Sequence, residues 1–283
     1  MLSYHYAFYG LRDELKTIYD AGEATAIAHE ILLHITGKDK TERLLNKDKK
    51  LSQSEQLQYD AMKADLLKGK PIQYATGIAW FMGHPYMVNE HVLIPRPETE
   101  ELVQLIAAEH KSRKVRILDI GTGSGCIPIA LKQLLPGAEI TACDISNDAL
   151  RIADRNARNL GAAIDLLQLD ILDEAGWPQL GRFDIIVSNP PYIPMHEKEQ
   201  LDINVRDYEP GTALFVPGDD PLLFYRVIAR LAKAHLHKAG AVYCELHRDY
   251  ATQTKKLFED AGYKDSLIRE DLHGNLRMLK ALG

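Results

Sequence analysis

Cysteine is scarce. Cys126, Cys143 and Cys244 are widely spaced, odd in number and form no C-x-x-C pair, which argues against a disulfide framework or a cysteine-ligated zinc site and for a reducing compartment. Each lies in an apolar run and reads as a small buried hydrophobe. Long hydrophobic runs are missing too: Met1 to Gly10 has neither a basic start nor an apolar core, and no stretch is long enough to span a bilayer, so a cytoplasmic protein with no membrane partner is expected. An excess of positive charge is also absent. The net charge is −6 and the part beyond residue 90 is itself acidic, so there is no general attraction to phosphate backbones and no direct nucleic-acid binding is expected. No metal site is expected either: His29 and His34 are five residues apart, a spacing that does not put two ligands on one helical face. No internal repeat or low-complexity segment interrupts the chain. What is present, 46% hydrophobic and 26% charged residues over 283 positions, is enough to bury a sizeable core in one large domain or two unequal ones.

From Leu2 to about Lys70 apolar residues recur at three- and four-residue spacing, through Ala24, Ile27, Ala28, Ile31, Leu32 and Ile35 and again through Leu57, Met62, Leu66 and Leu67. That spacing predicts a small helical bundle over residues 1–72. Gly37 is expected to end one helix, and Ser52-x-x-Glu55 to cap the next. Residues 73–97 change character: β-formers mix with Gly77, Gly83 and Pro85, predicting a hairpin of Ile78 to Met82 and Tyr86 to Val88 that turns at Gly83-His84-Pro85, followed by a proline-stiffened linker. Within residues 98–283 strands and helices alternate. Strands are expected at Val115 to Ile120, Glu139 to Asp144, Ile164 to Leu169, Phe183 to Ser188, Ala241 to Leu246, Lys264 to Ile268 and Asn275 to Leu279, with helices to Leu135, Asn147 to Leu160, Pro221 to His237 and Tyr250 to Ala261. The fold class is therefore α/β, a doubly wound, mostly parallel seven-stranded sheet with an antiparallel edge, joined to the helical bundle by the hairpin.

Two stretches of this sheet carry chemistry. Asp119-Ile120-Gly121-Thr122-Gly123-Ser124-Gly125 follows a strand and opens a helix, where glycines let a ligand approach the main chain. The spacing is G-x-G-x-G, whereas the dinucleotide fingerprint is G-x-G-x-x-G, and Asp119 would sit poorly beside a pyrophosphate. A cationic or zwitterionic ligand fits better, which favours S-adenosylmethionine over NAD. Asp144, ending the second strand, is placed to accept from a ribose diol. Asp170, ending the third, is placed to accept from the adenine amino group, and Ile171 to pack on the purine. The second stretch is Asn189-Pro190-Pro191-Tyr192, directly after the buried strand Phe183 to Ser188. The Asn189 side-chain oxygen and the Pro190 carbonyl form two acceptors for a planar N–H₂ group, the prolines contribute no competing N–H, and the Tyr192 ring offers a packing surface. Asn189, Pro190 and Tyr192 are thus the candidate catalytic residues, and methyl transfer to nitrogen the candidate reaction.

Taken with Leu93 to Glu100 (L-I-P-R-P-E-T-E), Asp119 to Cys126 (D-I-G-T-G-S-G-C), Ser188 to Ile193 (S-N-P-P-Y-I) and Val205 to Pro210 (V-R-D-Y-E-P), the chain resembles the release factor glutamine methyltransferase family, known as PrmC or HemK. N-P-P-Y alone is shared with adenine-N6 methyltransferases of DNA and RNA, which gives the alternative reading; the first and last of these stretches are more specific. The resemblance implies a class I S-adenosylmethionine-dependent methyltransferase acting on the glutamine of the Gly-Gly-Gln loop of class I peptide chain release factors. It further implies that Gly121 to Gly125 line the methionine part of the cofactor, that Asn189 touches cofactor and glutamine, and that residues 1–72 help dock the release factor, with a monomer expected. Two positions depart from the family pattern: His247 where a glycine is usual, and Ile171 where an aromatic residue is frequent. Arg96, Thr99, Arg206 and Glu209 are left open between touching ligands and bracing loops.

Overall fold

The computed structural model describes residues 1–111 and 113–283. The chain divides into two compact units, one of residues 1–78 with 202–208, the other of residues 79–201 with 209–283. The first is helical: α1 (Tyr4–Leu15), α2 (Ala21–Thr36), α3 (Lys40–Leu45), α4 (Gln53–Leu66) and α5 (Ile72–Thr76). The expected stop and start signals operate. Gly37 closes α2 in the left-handed region at φ 64°, and Ser52 with Glu55 forms a reciprocal capping box on α4, each satisfying helix-end groups that have no partner inside the helix. The core gathers Leu11, Ile27, Ile31, Leu32 and Tyr59, whose hydroxyl donates to the Ala7 carbonyl at 2.9 Å. On α4 the buried face runs through Tyr59 and Leu66, and Leu57 is 66% exposed. Leu57 lies two residues from Tyr59, about 200° around the helix, so it cannot share that face.

A two-stranded hairpin, β1 (Ile78–Phe81) and β2 (His84–Met87), comes next. It turns at Met82-Gly83 and not at Gly83-His84-Pro85. Both turn residues have positive φ, 51° and 76°, the two-residue geometry whose twist matches that of paired strands, and Pro85 is thereby drawn into the strand. Phe81 and Tyr86 meet edge to face beneath it at 5.8 Å.

The second unit is built on α6 (Pro97–His110), β3 (Arg116–Ile120), α7 (Cys126–Leu134), β4 (Glu139–Asp144), α8 (Asn147–Asn159), β5 (Asp165–Gln168), β6 (Phe183–Ser188), a helix Leu223–His235, β7 (Leu236–Glu245), a helix Ala251–Asp260, β8 (Lys264–Glu270) and β9 (Leu276–Leu282). The seven-stranded sheet has the order β5-β4-β3-β6-β7-β9-β8. β5, β4, β3, β6 and β7 are mutually parallel, and β9 runs antiparallel to β7 and β8. The chain winds outward from β3 through β4 to β5, then returns to place β6 on the other side of β3. This reversal opens a crevice at the carboxyl ends of β3 and β6, the position where open parallel sheets bind ligands. Apolar clusters fill both faces, one around Leu118, Ile186 and Val242, the other around Ile117, Ile185 and Tyr243, as alternation along buried strands requires. β7 begins five residues before the predicted Ala241. The buried Leu236 pairs with Phe183, and residues 237–240 bulge out, Ala239 at φ 66°, before Ala241 pairs with Ile185.

The three cysteines are free and buried. Among the described residues no helix is long and apolar enough to cross a membrane.

Candidate active site

β3 starts on the exposed Arg116, is buried from Ile117 onward and ends in Asp119 and Ile120, where the glycine-rich turn begins. Gly121, Gly123 and Gly125 all have positive φ, 73°, 54° and 80°. The Gly121 and Thr122 N–H groups donate to the Cys143 carbonyl at 2.9 and 3.0 Å, and Gly125 N–H to that of Thr122 at 2.9 Å. The three glycines serve different ends. A Cβ on Gly125 would lie 3.1 Å from Ala153 Cβ, so this residue lets α7 and α8 come together; a Cβ on Gly121 or Gly123 would meet nothing within 4 Å, so there the bare main chain faces open space. Asn156, buried on α8, ties the turn to its surroundings. Its Nδ2 donates to the carbonyls of Ser124 (2.9 Å) and Met87 (3.0 Å), and its Oδ1 accepts from Met87 N–H (2.7 Å).

Beside the turn, several buried polar atoms have no hydrogen-bond partner: both carboxyl oxygens of Asp119, Thr122 Oγ1 and Ser124 Oγ. Burial pushes the Asp119 carboxyl up to about 7, helped by the charge of Asp144. Buried polar groups of this kind are costly unless something satisfies them. Asp144, at the end of β4, accepts from Gly123 N–H and Ser146 N–H, each at 2.9 Å, and burial raises its carboxyl as well. An orphaned acid beside an open, glycine-lined cradle suits a ligand that carries positive charge and needs close main-chain approach.

The adjacent strand supplies the second half of the crevice. Ser188 of β6 pairs with Ile120 of β3, and its hydroxyl donates to the Ile120 carbonyl at 2.8 Å, so Asn189 emerges one strand spacing from the glycine-rich turn. Asn189 and Tyr192 are half-buried, and Pro190 is buried. Asn189 Nδ2 donates to Thr99 Oγ1 at 3.4 Å, while its Oδ1 accepts from no donor among the described residues. Thr99 Oγ1 in turn donates to Glu245 Oε2 at 2.6 Å, and the Tyr192 hydroxyl lies 3.5 Å from Glu245 Oε1.

A model of the Methyltransferase small domain matches residues 98–207, and one of the PrmC N-terminal domain matches residues 11–77. A release factor glutamine methyltransferase of Flavobacterium psychrophilum is 41% identical over 270 residues, 94% of each chain. One of Bacteroides thetaiotaomicron is 41% identical over 271 residues, 96% of this chain and 97% of its own. The chain belongs to the release factor glutamine methyltransferase family. A solved methyltransferase structure from Pyrococcus furiosus aligns with a TM-score of 0.49 at 18% identity, over 78% of this chain and 96% of that one.

As a release factor glutamine methyltransferase, the chain has its two most specific sequence stretches joined through one side chain. Glu209, 5% exposed, accepts from Ile94 N–H at 3.1 Å and from the Arg96 guanidinium. Arg96 and Glu209 therefore brace the loops at the crevice. Asp170 uses one carboxyl oxygen to accept from Leu172 N–H at 2.9 Å. Ile171 is only 7% exposed; it packs with Leu169 and Trp177, and its carbonyl accepts from Trp177 Nε1 at 3.1 Å, so little of its surface is left for a purine. His247 stands edge-on to Tyr192 at 5.6 Å. The residues missed from sequence are Asn156, Ser188 and Glu245. Ser188, inside the S-N-P-P-Y-I stretch, and Glu245, an acid closing an apolar strand, left a mark in the sequence; Asn156 left none.

Proposed function

We propose that this family member transfers the methyl group of S-adenosylmethionine to N5, the side-chain amide nitrogen, of the glutamine in the Gly-Gly-Gln motif of class I peptide chain release factors. The reading rests chiefly on Asn189, whose uncommitted Oδ1 stands one strand from the glycine cradle. The bound cofactor supplies a methyl group made electrophilic by its sulfonium. Gly121, Thr122, Gly123, Ser124 and Gly125 line its methionine part, with Asp119 available to the cationic end; Asp144 holds the ribose, and Asp170 takes the adenine amino group, with the small uncovered part of Ile171 against the purine.

On the acceptor side Asn189 Oδ1 and the Pro190 carbonyl receive the two N–H hydrogens of the glutamine amide, while Pro191 and Tyr192 pack against its plane. The lone pair of an amide nitrogen is delocalised and poorly nucleophilic. Fixing both hydrogens on acceptors orients that nitrogen and shifts electron density onto it. Once methylated, the nitrogen is acidic enough to release its surplus proton to solvent, so no strong base is required. The helical unit docks the release factor, and the protein works as a cytoplasmic monomer. Incubation with labelled S-adenosylmethionine and either an unmodified release factor or unmethylated duplex DNA is expected to label the release factor at glutamine. Label on nucleic acid and none on the release factor would sink this reading in favour of an adenine-N6 methyltransferase.

A further inference from the structure

Behind Asn189 lies a hydrogen-bonded chain from three separate segments: the buried Thr99 on α6 and Glu245 at the end of β7, and the half-buried Tyr192. Thr99 and Glu245 are each 2% exposed, too deep to touch a substrate. A carboxamide has a donor end and an acceptor end of nearly equal size, and a half-turn about its last side-chain bond exchanges them. The proposed chemistry tolerates only one orientation. With Oδ1 outward, Asn189 accepts from the glutamine N–H₂; with Nδ2 outward, two donors face each other and the contact repels. The direction of the buried chain fixes this choice.

Glu245 accepts from Thr99 at 2.6 Å, which commits the single hydroxyl hydrogen of Thr99. The Thr99 oxygen can then only accept, and the group facing it at 3.4 Å must be the donor end of Asn189. Burial pushes the Glu245 carboxyl up to about 7, opposed by the hydrogen bond from Thr99 and by the positive charge of Arg277, which donates to the Leu246 carbonyl and pairs with Asp271; a proton taken up on Oε1 leaves Oε2 an acceptor for Thr99. The Tyr225 hydroxyl holds the Glu245 backbone carbonyl at 3.0 Å, fixing the strand end.

We infer that Thr99 and Glu245 are positioning residues that hold the Asn189 amide with its oxygen toward the substrate nitrogen, so that the enzyme presents an acceptor there. This inference rests on the proposed methyl transfer to glutamine. It separates the deep groups of the site by role: Asn189 touches the reacting amide, and Thr99 and Glu245 act only through Asn189.

The test compares Thr99→Val, which keeps the shape and removes the hydroxyl, with Thr99→Ser, which restores it, in full-length protein with an unmodified release factor. Thr99→Val is expected to lower kcat about 100-fold, the order of loss seen when one oriented hydrogen-bonding group is misplaced, with the S-adenosylmethionine dissociation constant within about threefold of wild type. Thr99→Ser is expected to recover kcat to within about threefold. A kcat for Thr99→Val within about threefold of wild type, or a Thr99→Ser variant as slow as Thr99→Val, overturns the inference. Should Thr99→Val fail to fold, Glu245→Gln decides: its amide can donate to Thr99 and reverse the chain, so a tenfold or larger fall in kcat supports the inference and a smaller one overturns it. Failure of the wild-type protein to methylate the release factor would instead refute the functional reading beneath it.

Discussion

Asp119→Asn tests the electrostatics of the cofactor cradle. The carboxyl is fully buried, has no hydrogen-bond partner, and is pushed by burial from 3.8 up to about 7. Between pH 4 and 7 the unfolded chain has released this proton and the folded chain still holds it. Folding stability therefore falls as pH rises through that window and levels off above about 7. A rise from 3.8 to about 7, at about 1.4 kcal/mol for each factor of ten, amounts to up to about 4 kcal/mol lost above neutrality. Asparagine has the same shape and does not titrate, so the substitution removes that loss. Thermal melting of the ligand-free protein, followed by circular dichroism at pH 5 and pH 8, is expected to show Asp119→Asn more stable than wild type at pH 8, by up to about 8–15 °C for a unit of this size. At pH 5 the gain should be less than half as large. If this acid meets the cationic end of the cofactor as proposed, S-adenosylmethionine should raise the melting temperature of wild type more than that of the variant. An equal change at both pH values, or a variant less stable at pH 8, would refute the reasoning.

Asn189→Ala is expected to lower kcat by about 10²–10³-fold while leaving substantial cofactor binding, because it removes an acceptor that orients the nucleophile; single-turnover chemistry at the wild-type rate with lost cofactor binding would contradict that role. The glycines should separate in the same assays. Gly125→Ala, at φ 80° and 3.1 Å from Ala153 Cβ, should destabilise folding by about 2–3 kcal/mol. Gly123→Ala, at φ 54° with nothing within 4 Å, should cost about 1 kcal/mol in denaturant titration and show its main effect as weaker cofactor binding. Arg96→Ala leaves the buried Glu209 carboxylate, among the described residues, with the Ile94 N–H alone. Because the Arg96 side chain is 33% exposed, the loss should be about 2 kcal/mol, below that of a wholly buried pair, and the double variant with Glu209→Ala should be less destabilised than the sum of the two.

The βα alternation was legible because strands buried on both faces read as short apolar runs, and the amphipathic helices between them show their period; α8, with Ala149, Ala153, Asn156 and Ala157 inward, is an instance. Where the pattern failed, a local backbone state had overridden it. Nothing in His237-Lys238-Ala239-Gly240 announces a bulge inside β7, and Met82 at φ 51° is an unusual turn residue for the hairpin. The two halves of the crevice were also legible, since each follows its strand directly in the chain. The groups behind them were not: Thr99 and Glu245 are 146 residues apart, Ile94 and Glu209 are 115 apart, and no local period encodes a bond across such a separation. Ile171 shows the converse. Its position after the third-strand acid suggested a ligand contact, and the packing of Leu169 and Trp177 claims most of its surface.

The pairing of Ile120 with Ser188 has one more consequence. The proposed donor and acceptor sites open from neighbouring parallel strands whose register is fixed along their length, from Ile117 with Ile185 to Ile120 with Ser188, so on that proposal the gap the methyl group must cross is set by the sheet and not by the surface loops. Loops can then change in sequence, and the choice of incoming molecule with them, while the sheet holds the span between the two sites. Such a scaffold behaves as a fixed gauge: acquiring a different nitrogen acceptor calls for new walls around it, and no new spacing.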